Sequence, residues 1–113
     1  MERKLAKKDE FSKYLPLSES TYYILLTLVE PLHGYGVMQK VETLSNGLVK
    51  IGPGTLYGAF TTLEKEKLIT KVSEMDRRKT YSLTSKGKTV LSRQIERVEM
   101  MLKNGDQVRN FLL

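Results

Sequence analysis

The residues from Gly52 to Lys67 combine small and hydrogen-bonding side chains in a pattern that suits contact with another molecule. Leu56, Phe60 and Leu63 recur at helical spacing, so one face of a helix would be apolar. Pro53 suits its first turn. Two exposed glycines in a helix cost about 1 kcal/mol each relative to alanine, so a face that keeps them predicts close approach by a partner. The outer face holds Gly54, Thr55, Tyr57, Gly58, Thr61 and Lys65.

The hydroxyl and ammonium groups of this face could bind the bases or phosphates of DNA. The alternative is an ordinary amphipathic surface helix whose glycines are incidental. Tyr57 lies at the edge of the apolar face, so it could serve the groove of a nucleic acid or the protein core equally well.

No other set of side chains forms a pattern typical of an active site. The chain has no cysteine, which excludes disulfides, thiolate metal sites and cysteine nucleophiles. Its one histidine, His33, stands beside Gly34 and is typical of a turn or core residue. The Gly52-x-Gly54 pair lacks the βαβ setting of a phosphate-binding loop. We therefore expect no enzymatic activity, no cofactor and no metal site.

The composition favours one domain with an acidic partner. The 113 residues are enough for a single core, and the formal net charge of +6 favours a polyanion. No apolar run is long enough for a transmembrane helix. The basic start at Arg3 and Lys4 is not followed by an apolar segment, which argues against a secretory signal. We expect a cytoplasmic protein without a membrane partner.

The residues before this stretch predict two further helices. Residues 1–14 are highly charged and indicate either a weak helix or a frayed terminus, ended by Pro16. Ser18 is a suitable N-cap for a helix whose apolar run, 22–29, predicts a central core position. After a tight connection at 33–36, a second helix would bury Val37, Met38, Val41 and Leu44.

Asn46-Gly47 should end that helix in the left-handed conformation. Leu48, Val49 and Ile51 could form a short strand before Gly52.

After Lys67 the apolar period changes from helical to alternating. Residues 68–73 and 79–83 predict a two-stranded antiparallel hairpin, and the residues between them form a polar tip. Arg77, Arg78 and Lys79 would place three positive charges at or beside that tip, unless they form a merely solvated turn. Thr84 should then cap a long helix that ends near Asn104-Gly105.

This order predicts a mainly α fold with a small two-stranded β wing: a winged helix-turn-helix followed by a long C-terminal helix. The third helix would enter the major groove, where base edges are readable, and the wing would meet the backbone or an adjacent groove. Further phosphate contacts are predicted at Tyr35, Lys40, Lys50 and Lys71.

Four segments together resemble the PadR family of bacterial transcriptional regulators. They read LPLSESTYYILL, PLHGYGVM, IGPGTLYGAFTTLEKE and RRKTYSLTSKG. The second and third are specific in combination, whereas the fourth is shared with other winged-helix regulators. The resemblance covers 15–87 and implies a homodimeric DNA-binding regulator, often a repressor. It also implies that the C-terminal helix forms the dimer surface, that the N-terminal helix docks on the partner, and that some relatives bind aromatic effectors.

The sequence predicts the dimer independently. Leu91, Ile95, Val98 and Leu102 form one continuous apolar stripe that must be covered. The alternative is that this stripe packs back on its own domain. We therefore expect an N-terminal arm at 1–14, a DNA-binding domain at 15–84 and a dimerisation helix with a tail at 85–113.

Two other functions compete with a DNA-binding repressor that acts as a homodimer on an inverted repeat. One is a winged-helix protein–protein adaptor. The other is a sensor of hydrophobic or aromatic small molecules whose DNA role is secondary.

Overall fold

The computed structural model describes residues 10–113, so most of the predicted N-terminal arm, residues 1–9, lies outside the described part. A 3-10 turn, Ser12–Tyr14, comes first. The remaining elements are α1 Glu19–Thr27, β1 Leu32–His33, α2 Gly34–Leu44, α3 Pro53–Lys65, β2 Ile69–Met75, β3 Arg78–Leu83 and α4 Ser85–Arg109. The mainly helical winged fold is confirmed.

The helix starts follow from capping side chains that the sequence identified. The Ser18 hydroxyl accepts a hydrogen bond from the backbone N–H of Thr21 at 3.1 Å. At the start of α4, the Thr84 hydroxyl accepts from the Gly87 N–H at 2.9 Å. Each bond satisfies a backbone donor that the first helical turn leaves unpaired. Pro53 occupies the first turn of α3.

The core lies where α1 meets the other helices. Ile24, Leu25 and Leu28 are fully buried, which confirms the central position of α1. They join one continuous apolar cluster to which α2, α3, the sheet and the first half of α4 contribute; its other members are Val37, Val41, Val49, Ile51, Leu56, Phe60, Leu63, Leu68, Ile69, Tyr81, Leu83, Val90 and Leu91.

The sheet has three strands in the order β1-β3-β2, rather than the two that were predicted. Leu32 pairs with Tyr81 and His33 with Thr80, both antiparallel. Without β1, the inner edge of β3 would leave its backbone groups unpaired. Residues 33–36, which were predicted to form a connection, belong to two elements, because His33 is in β1 and Gly34 begins α2.

The predicted strand at 48–51 is wrong. Asn46 and Gly47 do end α2 with positive φ, 54° and 79°. The segment after them is held instead by Ser45, whose hydroxyl accepts from the Val49 N–H at 2.9 Å. Since that bond satisfies the backbone locally, burial of Val49 and Ile51 needs no strand partner. Leu44 was expected to be buried but is 47% exposed.

The long helix continues past its predicted end to Arg109. Asn104 and Gly105 stay helical, because neither has the positive φ that would stop a helix. The last turn is supported by an ion pair between Arg109 and Asp106, with N–O separation 2.5 Å. No helix within residues 10–113 is long and apolar enough to cross a membrane.

Candidate nucleic-acid interface

The outer face of α3 is as small as its sequence predicted. Gly54 and Gly58 are exposed, and a Cβ built on either would meet no atom within 4 Å. Thr55, Thr61 and Lys65 are also exposed. A flat surface could therefore approach the α3 backbone closely.

The hydroxyl of Thr61 has a fixed orientation. It donates to the carbonyl oxygen of Tyr57 at 2.9 Å. Its proton is therefore committed within the helix, and the oxygen lone pairs and the methyl group remain for an external partner.

Tyr57 packs on its own domain and also keeps one side exposed. Its ring is 52% exposed. One ring edge lies against the backbone of Gly34, where an added Cβ would be 2.5 Å from the phenol oxygen. The ring also packs edge to face on Phe60, with 6.0 Å between centroids. The contact with Gly34 positions Tyr57 between α2 and α3, while its other side faces solvent.

The wing ends in a two-residue turn. Met75 pairs with Arg78, and Asp76 and Arg77 between them have φ of 52° and 67°. A tight hairpin turn with two positive φ values usually contains glycine or asparagine at the second position. Arg77 therefore has a backbone conformation that a bulky residue rarely adopts. Arg77, Arg78 and Lys79 are all exposed at this tip.

A groove of about 570 Å³ separates α3 from the wing. Tyr57 and Thr61 line it from α3, and the three wing cations line it from the other side. The start of α2 closes one end through His33, Gly34 and Tyr35. The groove thus brings two of the predicted α3 residues together with the three wing cations. The other four predicted α3 residues do not line it: Gly54, Thr55, Gly58 and Lys65.

Two carboxylates also line this groove, Glu64 and Asp76. Glu64 was not among the predicted contacts, although its position one turn after Thr61 places it on the same face. Tyr81 lies behind it, with its ring 4.7 Å from that of Phe60. Burial, and then the charge of Glu64, raise the pKa of the Tyr81 phenol.

The four residues predicted to make additional phosphate contacts do not lie on one surface. Tyr35 lines the groove, and its hydroxyl accepts from Gln39 at 3.3 Å. Lys40 is exposed on α2.

The other two lysines each pair with a carboxylate. Lys50 lies 3.9 Å from Glu42. Lys71 donates to Glu74 at 2.9 Å, and this hydrogen bond raises the pKa of Lys71 and lowers the pKa of Glu74. Both pairs are solvent-exposed and therefore weak, and neither lysine lines the groove.

The apolar stripe of α4 is divided between core and surface. Leu91 is buried in its own domain. Ile95 and Val98 are half-buried, whereas Leu102 is 56% exposed. The surface that a partner could cover therefore begins at Ile95 and extends toward the exposed C-terminal residues Phe111 and Leu112.

Residues 17–93 match the family model of the PadR-like transcriptional regulators. The chain belongs to this family. The match spans α1 through the first third of α4, which includes α3 and the wing. The PadR-like proteins are transcriptional regulators rather than enzymes.

Three relatives illustrate the likeness. A 37.1 kDa protein in transposon TN4556 of Streptomyces fradiae is 33% identical over 68% of this chain and 22% of its own length. The Escherichia coli transcriptional regulator YqjI is 33% identical over 61% of this chain and 33% of its own length. The solved structure of a Clostridium thermocellum transcriptional regulator is 25% identical, with a TM-score of 0.68, and the match covers 89% of this chain and 95% of that one.

The chain thus spans about a fifth to a third of the length of these two relatives. Over residues 10–113, no group of three or more histidine, cysteine, aspartate or glutamate side chains is placed to hold a metal ion.

Proposed function

We propose that this PadR-like regulator binds double-stranded DNA as a homodimer and represses transcription from an inverted-repeat operator. The observation that carries the proposal is the groove in which Tyr57 and Thr61 of α3 lie opposite the three wing cations. In this assignment α3 enters the major groove and supplies the base contacts, through Thr55, Tyr57, Thr61 and Lys65. Gly54 and Gly58 allow its backbone to approach the base edges.

The wing cations supply most of the affinity in this proposal. Arg77, Arg78 and Lys79 are exposed at and beside the two-residue turn of the wing. Contacts between cations and phosphates release condensed counterions and carry most of the sequence-independent binding energy. Tyr35 and Lys40 lie on α2, the helix that fixes register on the backbone in a helix-turn-helix.

The dimer is assigned to α4. Residues 15–84 read DNA, residues 85–113 join two copies, and residues 1–14 support that contact. The exposed apolar residues continue from Leu102 in α4 to Phe111 and Leu112 just past its end, and a second copy would cover them. A two-fold dimer would present two α3 helices to half-sites about one helical turn, or a multiple of it, apart. Such a regulator would act beside the chromosome, in the cytoplasm.

A hydrophobic or aromatic effector belongs to the same proposal. A groove of about 430 Å³ between the end of α1 and α4 is lined in part by Val29, Leu83, Leu91 and Ile95, and polar or charged side chains form the rest of its lining. The apolar part, beside the proposed dimer surface, would accommodate such a molecule. Thermal unfolding with planar aromatic compounds tests this, because a ligand of the native state raises the melting temperature.

Selection from a pool of random duplex DNA tests the DNA assignment. The recovered sites should converge on an inverted repeat. Thr61→Ala and Lys65→Ala should change the preferred base at a few positions in each half-site, by about 1–3 kcal/mol for each base. Recovery of random sequence by the wild type would contradict the proposal.

A further inference from the structure

The C-terminal end of α3 is held by a cluster of polar contacts from two other elements. The Tyr14 hydroxyl, in the 3-10 turn, donates to Glu66 Oε1 at 3.0 Å. Lys86 Nζ, in the first turn of α4, donates to the Glu66 carbonyl oxygen at 3.1 Å. Glu66 directly follows Lys65 and is the C-cap of α3. We name these three residues the Tyr14–Glu66–Lys86 clamp.

The clamp is closed by a further contact between its two outer members. The Lys86 ammonium lies 4.9 Å from the centre of the Tyr14 ring, a cation–π distance. The Tyr14 hydroxyl, and then the charge of Glu66, raise the pKa of Lys86. Two of the three contacts involve a charged group bound by a hydrogen bond, which makes them stronger than neutral ones.

The segment that carries Tyr14 is itself fixed along α4. The backbone N–H of Leu17 donates to the buried Gln94 side chain at 2.9 Å. The Arg93 guanidinium lies 5.2 Å from the centre of the Phe11 ring. Residues 11–17 therefore run beside α4 while Tyr14 reaches across to α3, so this segment braces the two helices.

A second attachment between the end of α3 and the start of α4 lies one and two residues after Glu66. The Thr84 hydroxyl donates to the Lys67 carbonyl oxygen at 2.6 Å, and the Thr84 N–H donates to the Leu68 carbonyl oxygen at 3.0 Å. This backbone contact alone would act as a pivot. The clamp adds a second point, and two points of attachment fix the angle between the helices.

We propose that the clamp fixes the angle between α3 and α4 and thereby sets the half-site spacing that the dimer accepts. The inference rests on the proposed function, in which α4 joins the two copies and α3 reads DNA. A rotation of α3 relative to α4 would move the two reading helices in opposite directions about the two-fold axis. One added base pair turns one half-site by about 35° relative to the other, since a helical turn holds 10–10.5 base pairs. Tyr14, Glu66 and Lys86 are thus positioning residues that act through α3.

The test compares binding to one operator at several spacings. The operator is the inverted repeat that the wild type selects from random duplex DNA, with its central spacer shortened or lengthened by one and two base pairs. Tyr14→Phe removes only the hydroxyl, and Lys86→Met removes the ammonium but keeps the chain length. Glu66→Gln keeps an oxygen that can accept from Tyr14 and serves as the conservative variant. Lys88→Met is the matched charge control, because Lys88 is exposed two residues along the same helix.

The wild type should lose about tenfold in affinity when one base pair is added or removed, because a rigid dimer cannot follow the rotation. The Tyr14→Phe, Lys86→Met double variant should bind the selected spacing a few-fold more weakly than the wild type. Its loss of affinity on changing the spacer should be less than about threefold, because a loosened α3 can turn with the half-site. Glu66→Gln and Lys88→Met should keep the wild-type spacing profile.

An equal loss of affinity at every spacing would overturn the inference, because general destabilisation weakens all complexes alike. An unchanged profile in the double variant would overturn it too. Failure of the wild type to select any site would instead reject the proposed function, and the inference with it.

Discussion

The phenol group of Tyr57 lies directly against the backbone of Gly34, so close that a Cβ at position 34 would be within 2.9 Å of two ring carbons and the hydroxyl oxygen. This contact joins the two sequence segments that are specific to the family in combination, GYG at the start of α2 and PGTLY at the start of α3. The absence of a side chain at Gly34 therefore fixes the position of an aromatic side chain on the proposed DNA-reading face.

Gly34 and Tyr57 should be energetically coupled. Gly34→Ala should destabilise the protein, because the ring must move, and it should cost less when Tyr57 is already alanine. The double-mutant cycle should give a coupling of about 0.5–2 kcal/mol, typical of residues in contact. Chemical denaturation of the four proteins measures it. The same cycle built from Gly34→Ala and Tyr35→Ala serves as a control. Additive effects of Gly34→Ala and Tyr57→Ala would contradict the contact.

Gly58→Ala should move stability and DNA affinity in opposite directions. A Cβ at Gly58 meets nothing within 4 Å, so the substitution should stabilise the helix by about 0.5–1 kcal/mol. The same methyl group would stand between α3 and the base edges and should weaken binding. Gly105→Ala is the matched control, because a Cβ there also meets nothing in this chain. It should stabilise α4 without changing the affinity for a single DNA half-site. Denaturation and fluorescence anisotropy measure the two effects.

Gly87 is required for a different reason. A Cβ there would lie 2.0 Å from the Leu68 carbonyl oxygen, a backbone atom that cannot move without moving the start of β2. Gly87→Ala should therefore cost several kcal/mol, about 2–4, as expected when a rigid contact must be displaced. A melting temperature within a degree or two of the wild type would show that α4 and β2 are not packed in this way.

Dimerisation should depend on the exposed part of the α4 stripe. Leu102→Asp should shift the protein toward monomer at micromolar concentration, because a charge buried at a dimer contact is left without a partner. Met100→Asp is the control, since Met100 is 41% exposed on another face of the same helix. Analytical ultracentrifugation distinguishes the two variants, and equal self-association in both would contradict the assignment of Leu102.

Local signals in the sequence predicted most of the elements. Ser18 and Thr84 mark helix starts by chemistry that acts within three residues. The change of apolar period after Lys67 marks the hairpin, and it too is a signal carried by neighbouring residues. By contrast, β1 has only two residues and exists because β3 offers it an edge, which no local period can reveal. The end of α4 was missed because Asn104-Gly105 permits a stop without enforcing one.

Part of the groove lining could be predicted from the sequence, but the contacts within the proposed site could not. The spacing of Thr61 and the wing arginines identified the two sides of the groove. The contacts that position them depend on tertiary packing: Tyr57 on Gly34, and Glu66 between Tyr14 and Lys86. Gly34 and Tyr57 are 23 residues apart in the sequence, and Tyr14 and Glu66 are 52 residues apart. Only the assembled fold brings such pairs together.

The salt dependence of DNA binding tests the central claim most directly. The wild type should lose affinity steeply with added salt, and each phosphate contact contributes about 0.9 to the slope of log affinity against log salt. Arg77→Ala with Arg78→Ala should reduce that slope by about 2 for each half-site and weaken binding to all sequences alike. Arg97→Ala with Lys103→Ala, which removes equal charge from α4, should leave the slope unchanged. A salt-independent wild type, or a wing variant that binds like the wild type, would contradict the account.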